Sequence, residues 1–426
     1  MSLGSLPCRR PVRLCALALL ALATAGLVYA SGAASEYNAR GVEYYNAGRW
    51  IEAIHWFEQA YDLAPGNNTL RRNLCNAYQA QADELAKQAD FAAAAKYLEN
   101  AISVDPENHS PLMQLGSYYL RLDMVADAIF RLEEAIELVP EDLDAHELLG
   151  DAYYKDNDLP SALAHWEWVL QTAPGRQTLL AKLEKARREE SIEQSFQRTD
   201  SRHFSLSFPP GTSRRSLSTV LNILERAYMQ VGNRFDGTYP PTPIQVIVHN
   251  AKGFADVTQM GEHVGALYDG KIRIPLLDLQ GNMLAEDELE RRLFHEYTHV
   301  VVRHLAANNV SWWLNEGLAE TFSREFGDTQ LHVLLPASEQ GALFSLASLH
   351  ASQLERLDYD NLRLAYAQSH ASVNYLWTRY GRQKLRAMMS SLAEGIEPQT
   401  ALEMHYRLTY EQLEAEVMRS LMRAAR

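Results

Sequence analysis

Residues Gly116–Pro140 read GSYYLRLDMVADAIFRLEEAIELVP, and Gly150–Pro174 read GDAYYKDNDLPSALAHWEWVLQTAP. The two stretches are one pattern offset by 34 residues: Gly116, Tyr119, Ala128, Leu132, Ala135 and Pro140 recur as Gly150, Tyr153, Ala162, Trp166, Val169 and Pro174. Gly41, Tyr44, Ala53, Phe57, Ala60 and Pro65 form an earlier copy. Another lies between, with Cys75, Tyr78, Ala94, Leu98, Ala101 and Pro106; its gap from Tyr78 to Ala94 is seven residues longer. Seven residues are about two helical turns, so the insertion lengthens helices without changing their phase. Small residues let paired helices approach, large apolar side chains fill the space between them, and Pro ends the second helix of each pair.

The period and the order small–aromatic–Ala–large–Ala–Pro resemble tetratricopeptide repeats. The resemblance implies four helix pairs over residues 34–176, stacked as an all-α solenoid whose concave face takes a protein partner. After Pro174 the composition changes. Leu179–Glu193 is helical in spacing and carries Lys182, Glu184, Lys185, Arg187, Arg188, Glu189 and Glu190. Residues 177–199 therefore read as a solvated capping and linker helix, with a boundary near Thr199.

At the other end, Arg9, Arg10 and Arg13 precede an apolar run from Leu14 to about Ala30. Residues 1–30 read as a signal peptide, or as a membrane anchor if they are retained. Either places the remainder in an extracytoplasmic compartment, secreted or periplasmic, with membrane contact only through this segment. Its removal takes the formal charge from −14 to −17. Such an acidic balance argues against nucleic acid as a partner. Cys8 and Cys15 lie in the segment, leaving Cys75 alone, so an internal disulfide is excluded from the rest.

From His203 the pattern turns to mixed α and β. His203–Phe208 alternates like a strand, Leu217–Phe235 has helical spacing, and Ile244–His249 is a β-branched run. Ala266–Tyr268 and Lys271–Ile274 flank Asp269-Gly270, a hairpin signal. From Glu286 onward the chain reads as helix. Strands followed by helices predict an α+β domain over residues 200–426.

The chemistry is concentrated at His295-Glu296-Tyr297-Thr298-His299. Histidines at i and i+4 share one helix face and can reach one metal ion, with Glu296 between them as general base. The stretch is otherwise apolar, with Leu293, Phe294 and Val300–Val302, where two His and a Glu would be costly without a metal or partners. Asn315-Glu316-Gly317-Leu318-Ala319-Glu320 follows. The interval allows the first helix to end, a turn over 306–311, and a second helix, N-capped by Ser311, that brings Glu316 in as third ligand. Two imidazoles, one carboxylate and an open position define a catalytic Zn2+ site. Glu320, one turn on, is placed to accept the ring N–H of a ligand histidine. An oxyanion donor is also needed; in the helical stretch Leu362–Tyr380, Tyr366 and His370 share a face.

The two motifs resemble the gluzincins, and their order with strand and hairpin is most similar to the peptidase MA-like domains found beside tetratricopeptide repeats. The resemblance covers roughly residues 200–380 and implies zinc metallopeptidase activity. It implies an extended substrate on an edge strand, for which Lys271–Pro275 is the candidate, and it favours Tyr366 over His370 as oxyanion donor. The acid by which related aminopeptidases hold a free amino terminus is replaced here by Tyr268, which favours endopeptidase action. The expectation is a multidomain chain, an all-α tetratricopeptide solenoid followed by an α+β gluzincin-type metallopeptidase domain, whose repeats recruit a protein substrate or partner. The alternative is a scaffold or adaptor with a vestigial or regulatory zinc site.

Overall fold

The computed structural model describes residues 32–258, 266–278, 282–307, 309–349 and 357–424. Residues 1–30, read from the sequence as a signal peptide or membrane anchor, lie outside the described residues, as does Gly265 beside the Tyr268 motif. Among the described residues no helix is long and apolar enough to cross a membrane.

The repeats are helix pairs: α1 (32–46) with α2 (Trp50–Leu63), α3 (Asn68–Lys87) with α4 (Phe91–Val104), α5 (His109–Arg121) with α6 (Val125–Leu138), and α7 (Leu143–Asp156) with α8 (Leu159–Thr172). The small–large pairing read from the sequence sits at the tightest points. A Cβ on Gly116 would stand 2.5 Å from Leu132 Cγ, and one on Gly150 would stand 2.4 Å from Trp166 Cδ1. Cys75 replaces the glycine in the second copy; burial pushes its thiol up to about 11. The seven extra residues of that copy all fall in α3, which has 20 residues, while α4 keeps the ordinary 14.

The chain divides into two compact units. One comprises residues up to Tyr119 together with Phe130–Ala145; the other comprises Leu120–Ile129 and everything from His146. In the second unit α9 (Gln177–Glu193) leads into a five-stranded sheet: β1 (Gln197–Asp200), β2 (Phe204–Phe208), β3 (Ile244–His249), β4 (Leu267–Tyr268) and β5 (Ile272–Pro275), with α10 (Arg214–Arg234) and α11 (Ala251–Thr258) between them. Strand order is β1-β2-β3-β5-β4; the two central pairings, β2 with β3 and β3 with β5, are parallel and the outer ones antiparallel. The Asp269-Gly270 hairpin pairs Tyr268 with Ile272, and Gly270 takes φ +110°, a conformation suited to glycine.

This order corrects one expectation. Lys271–Pro275 is not the edge: β5 is flanked by β3 and β4, and the two-residue β4 is the outer strand.

Alternation sorts the strands onto two faces. Phe204, Leu206, Val246, Val248, Ile272 and Ile274 join the large apolar core with Leu224 of α10 and Leu293, Tyr297 and Val301 of α12 (Glu286–Ala306). The opposite face carries Ser205, Ser207, Gln245, His249, Lys271 and Arg273, and it too is buried. Here α9 departs from the solvated reading. Glu189 and Glu193 are inaccessible or nearly so; Arg273 lies 2.7 Å from Glu189 and 2.6 Å from Glu193, and Lys271 donates to Asn157 at 2.7 Å. Arg and Lys alternate with Ile along β5, so the polar face of that strand is neutralised by one face of α9.

Among the described residues six further α-helices follow: α13 (Trp312–Ser323), α14 (Asp328–Glu339), α15 (Tyr359–Tyr380), α16 (Arg382–Ala393), α17 (Pro398–Tyr406) and α18 (Tyr410–Ala424).

Candidate metal centre and its cleft

α12 begins with Glu286, Asp287 and Glu288 in its first turn, favourable at the positive end of a helix dipole, and ends at Ala307 in a left-handed conformation. Asn309 fixes the following turn by donating to Leu392 O and Ile396 O, both at 2.8 Å. α13 then starts at Trp312 with Ser311 at the N-cap position, although the serine side chain makes no capping hydrogen bond. Gly317 sets the depth of α13. A Cβ there would stand 2.4 Å from Ser369 O of α15, so only glycine permits this approach.

These packings bring His295, His299 and Glu316 together. Their ligand atoms all lie within 4.8 Å of one another; His295 Nε2 is 3.3 Å and His299 Nε2 3.6 Å from Glu316 Oε2. Ligands about 2.0–2.1 Å from a tetrahedral ion sit roughly 3.3–3.4 Å apart, so the two spacings to Glu316 suit zinc, and the widest separation, up to 4.8 Å, closes by a side-chain adjustment on binding. Glu316 Oε2 is buried without a hydrogen-bond partner, the state expected of an atom whose partner is a cation. Burial raises the Glu316 carboxyl, but His299 and His295 outweigh it and hold it below the usual range. Burial likewise opposes the charge on His295, and Glu316 and Glu320 outweigh that, raising it to about 10. A metal competes with that proton for the same nitrogen.

The remaining ring nitrogens face polar partners. His295 Nδ1 is 3.4 Å from Glu320 Oε1, and His299 Nδ1 lies 3.0 Å from Asn315 Oδ1. Donation from Nδ1 to Asn315 fixes the tautomer that leaves Nε2 for the metal. Asn315 stood in the quoted motif without a role; its position immediately before Glu316 was the available signal. Glu320 also pairs with Arg324. Burial raises its carboxyl, but His295, Arg324 and His370 outweigh that and bring it to about 2.

Glu296 opens onto a cleft of about 350 Å³ with His295, Glu320, Ala266, Gln330, Arg363 and Tyr366 among its lining. Burial raises the Glu296 carboxyl, which suits a group that takes up a proton. The two oxyanion candidates separate. Tyr366 lines the cleft, its ring 5.2 Å edge-on to Trp312; Glu316, with burial, Glu296 and Glu320, pushes its hydroxyl well above the usual range, so it remains a donor. His370 is fully inaccessible, 4.0 Å behind Glu320 and edge-on to Phe326 at 5.1 Å, and it is not part of the cleft lining. The expectation of His370 as oxyanion donor is therefore corrected. The geometry gives it contact with Glu320 instead, and burial lowers it to about 4. Tyr268 also stands apart from the cleft, under Arg303 of α12.

A mostly helical chain with stacked helix pairs, a short mixed sheet and a His–His–Glu cluster beside an open cleft is the class these observations define. Residues 34–67, 80–131 and 113–175 match tetratricopeptide-repeat family models, and residues 279–423 match the Peptidase MA superfamily model. The chain carries tetratricopeptide repeats followed by a C-terminal Peptidase MA superfamily domain. Similar solved structures include MamA (21% identity, 36% of this chain and 80% of that chain, TM-score 0.30). YrrB, described as a TPR protein with an unusual peptide-binding site, is 21% identical over 39% of this chain and 87% of that chain, TM-score 0.28. Pseudomonas aeruginosa pilF is 18% identical over 49% and 95%, TM-score 0.27. No curated protein matches the sequence.

Proposed function

We propose that this protein is an extracytoplasmic zinc-dependent endopeptidase whose repeats recruit the protein substrate or a partner along their concave face. The observation that carries the reading is the convergence of His295, His299 and Glu316 within 4.8 Å beside a cleft that Glu296 and Tyr366 line. The superfamily match over residues 279–423 supports a peptidase.

Zinc bound by His295, His299 and Glu316 would supply Lewis acidity toward the attacking water and the scissile carbonyl. The chain's own groups do the rest. Glu296 takes the proton from the water and returns it to the leaving amine. Tyr366 donates its hydroxyl hydrogen to the oxyanion as charge develops on the carbonyl oxygen. Asn315 and Glu320 hold the two imidazoles in orientation. Endopeptidase action is favoured because Tyr268, which replaces the amine-holding acid of related aminopeptidases, stands away from the cleft.

Elemental analysis of the purified protein, followed by casein cleavage with and without chelator, tests this reading. One zinc per chain and cleavage abolished by chelation are expected. Zinc present with no cleavage of casein or of a peptide library would favour a repeat scaffold with a regulatory metal.

A further inference from the structure

The chain is acidic overall, at −14, yet the cleft beside His295 and Glu296 is lined by four arginines: Arg291, Arg292, Arg324 and Arg363. Arg291 Nε and Nη2 donate to Glu288 at 2.9 Å each, Arg292 Nε donates to the same carboxylate at 2.6 Å, and Arg324 pairs with Glu320. Two guanidiniums thus share one carboxylate. Arg363 differs. It is exposed on α15, and among the described residues no carboxylate lies within ion-pair distance of it; its guanidinium carbon is 5.8 Å from the ring of Tyr359, itself 63% exposed. Even counting Glu288, Glu296 and Glu320 as fully ionised, the four arginines leave a positive charge in excess.

Arg363 is also well placed. It precedes Tyr366 by three residues on α15, so the two share a face, about one helical turn apart. Tyr366 and Arg363 line the same cleft as His295 and Glu296, which places that face beside the reacting centre. A guanidinium one turn from Tyr366, on the wall of the same cleft, is placed to meet a residue next to the bond being cut. Its planar fork matches an oxyanion bidentately, and the oxyanion an unmodified peptide carries is a carboxylate; the cleft focuses the field that draws one in.

We infer that the cleft selects a substrate carboxylate beside the scissile bond, with Arg363 as the specificity-determining residue. This rests on the peptidase reading above. Because an internal bond is cut, the carboxylate is that of an Asp or Glu side chain.

The test offers the zinc-loaded protein two synthetic peptide libraries of the same composition, one with free C-termini and one amidated. Wild type, Arg363→Gln and Arg379→Gln are compared, the last removing an equal charge from an exposed site on the same helix. The expected result is enrichment of an acid at one fixed position among wild-type cleavages. Arg363→Gln should then lose about ten- to a hundredfold in kcat/KM on acidic peptides, through KM, and stay within about twofold on neutral ones. Arg379→Gln should behave as wild type. Equal enrichment in both libraries upholds a side-chain carboxylate; cleavage confined to the free-ended library, which would mark recognition of the C-terminus, overturns it. Cleavage without acid preference, or a preference that survives Arg363→Gln, overturns the inference. If wild type cleaves neither library, the peptidase reading fails, and peptide retention on Glu296→Gln then decides this one. Acidic peptides retained, and lost on adding Arg363→Gln, uphold it; no acidic preference in retention overturns it.

Discussion

His299 can present Nε2 to a metal because Asn315 engages its other nitrogen at 3.0 Å. Asn315→Ala frees that ring to rotate and to change tautomer, and should weaken zinc binding about 10–100-fold without unfolding the protein, as measured by competition with a chromogenic chelator. Tyr366→Phe keeps the ring against Trp312 and removes only the donor; kcat should fall about 10²–10³-fold with KM little changed, as read from steady-state kinetics on a cleaved peptide. The ligand candidates were legible because the i, i+4 histidines and the NEGLAE stretch fix helix faces. The choice between Tyr366 and His370 was not legible in their spacing, because both lie on one face of α15; there only the family resemblance favoured Tyr366. Only the packing of Phe326 and Glu320 over His370 separates them.

At the scale of elements, the distance between α13 and α15 rests on Gly317. Gly317→Ala forces a Cβ against the Ser369 carbonyl and should cost about 1–3 kcal/mol, seen as a lowered Tm, with weakened zinc binding because Glu316 moves with its helix. The repeats were legible down to single contacts, since small–large pairing is written into each copy. The role of α9 was hidden. Charged residues at helical spacing ordinarily mean a solvated face, and nothing in Leu179–Glu193 indicates that two of its glutamates meet Lys271 and Arg273 some 80 residues later. β1 was missed for a similar reason: Gln197–Asp200 is polar and mostly exposed, without alternation. The edge position of Lys271–Pro275 was an implication of the family resemblance, and the two-residue pairing of β4 outside it overturns that. Glu189→Gln, which leaves a buried guanidinium short of its partner, should destabilise the protein by about 3–5 kcal/mol in urea denaturation.

On the scale of the molecule, α9 and the sheet belong to one compact unit. Its buried polar face gives the unit an acid sensitivity. Burial, with Arg273, depresses His249 from 6.5 to about 3. Above pH 6.5 the residue is neutral whether folded or unfolded and has no effect. As pH falls toward 3 only the unfolded chain takes the proton, so stability is lost across that window. His249→Gln should flatten the loss by up to about 1.4 kcal/mol per pH unit, compared by urea denaturation of chelator-treated protein at pH 6.5 and 5.0. The central claim concerns what the cleft does. It is tested most directly by comparing newly formed protein termini in cells expressing the wild type with those in cells expressing Glu296→Gln, at matched abundance and zinc content. A set of internal cleavages present with wild type and absent with Glu296→Gln is the predicted result. Indistinguishable termini in the two would contradict it.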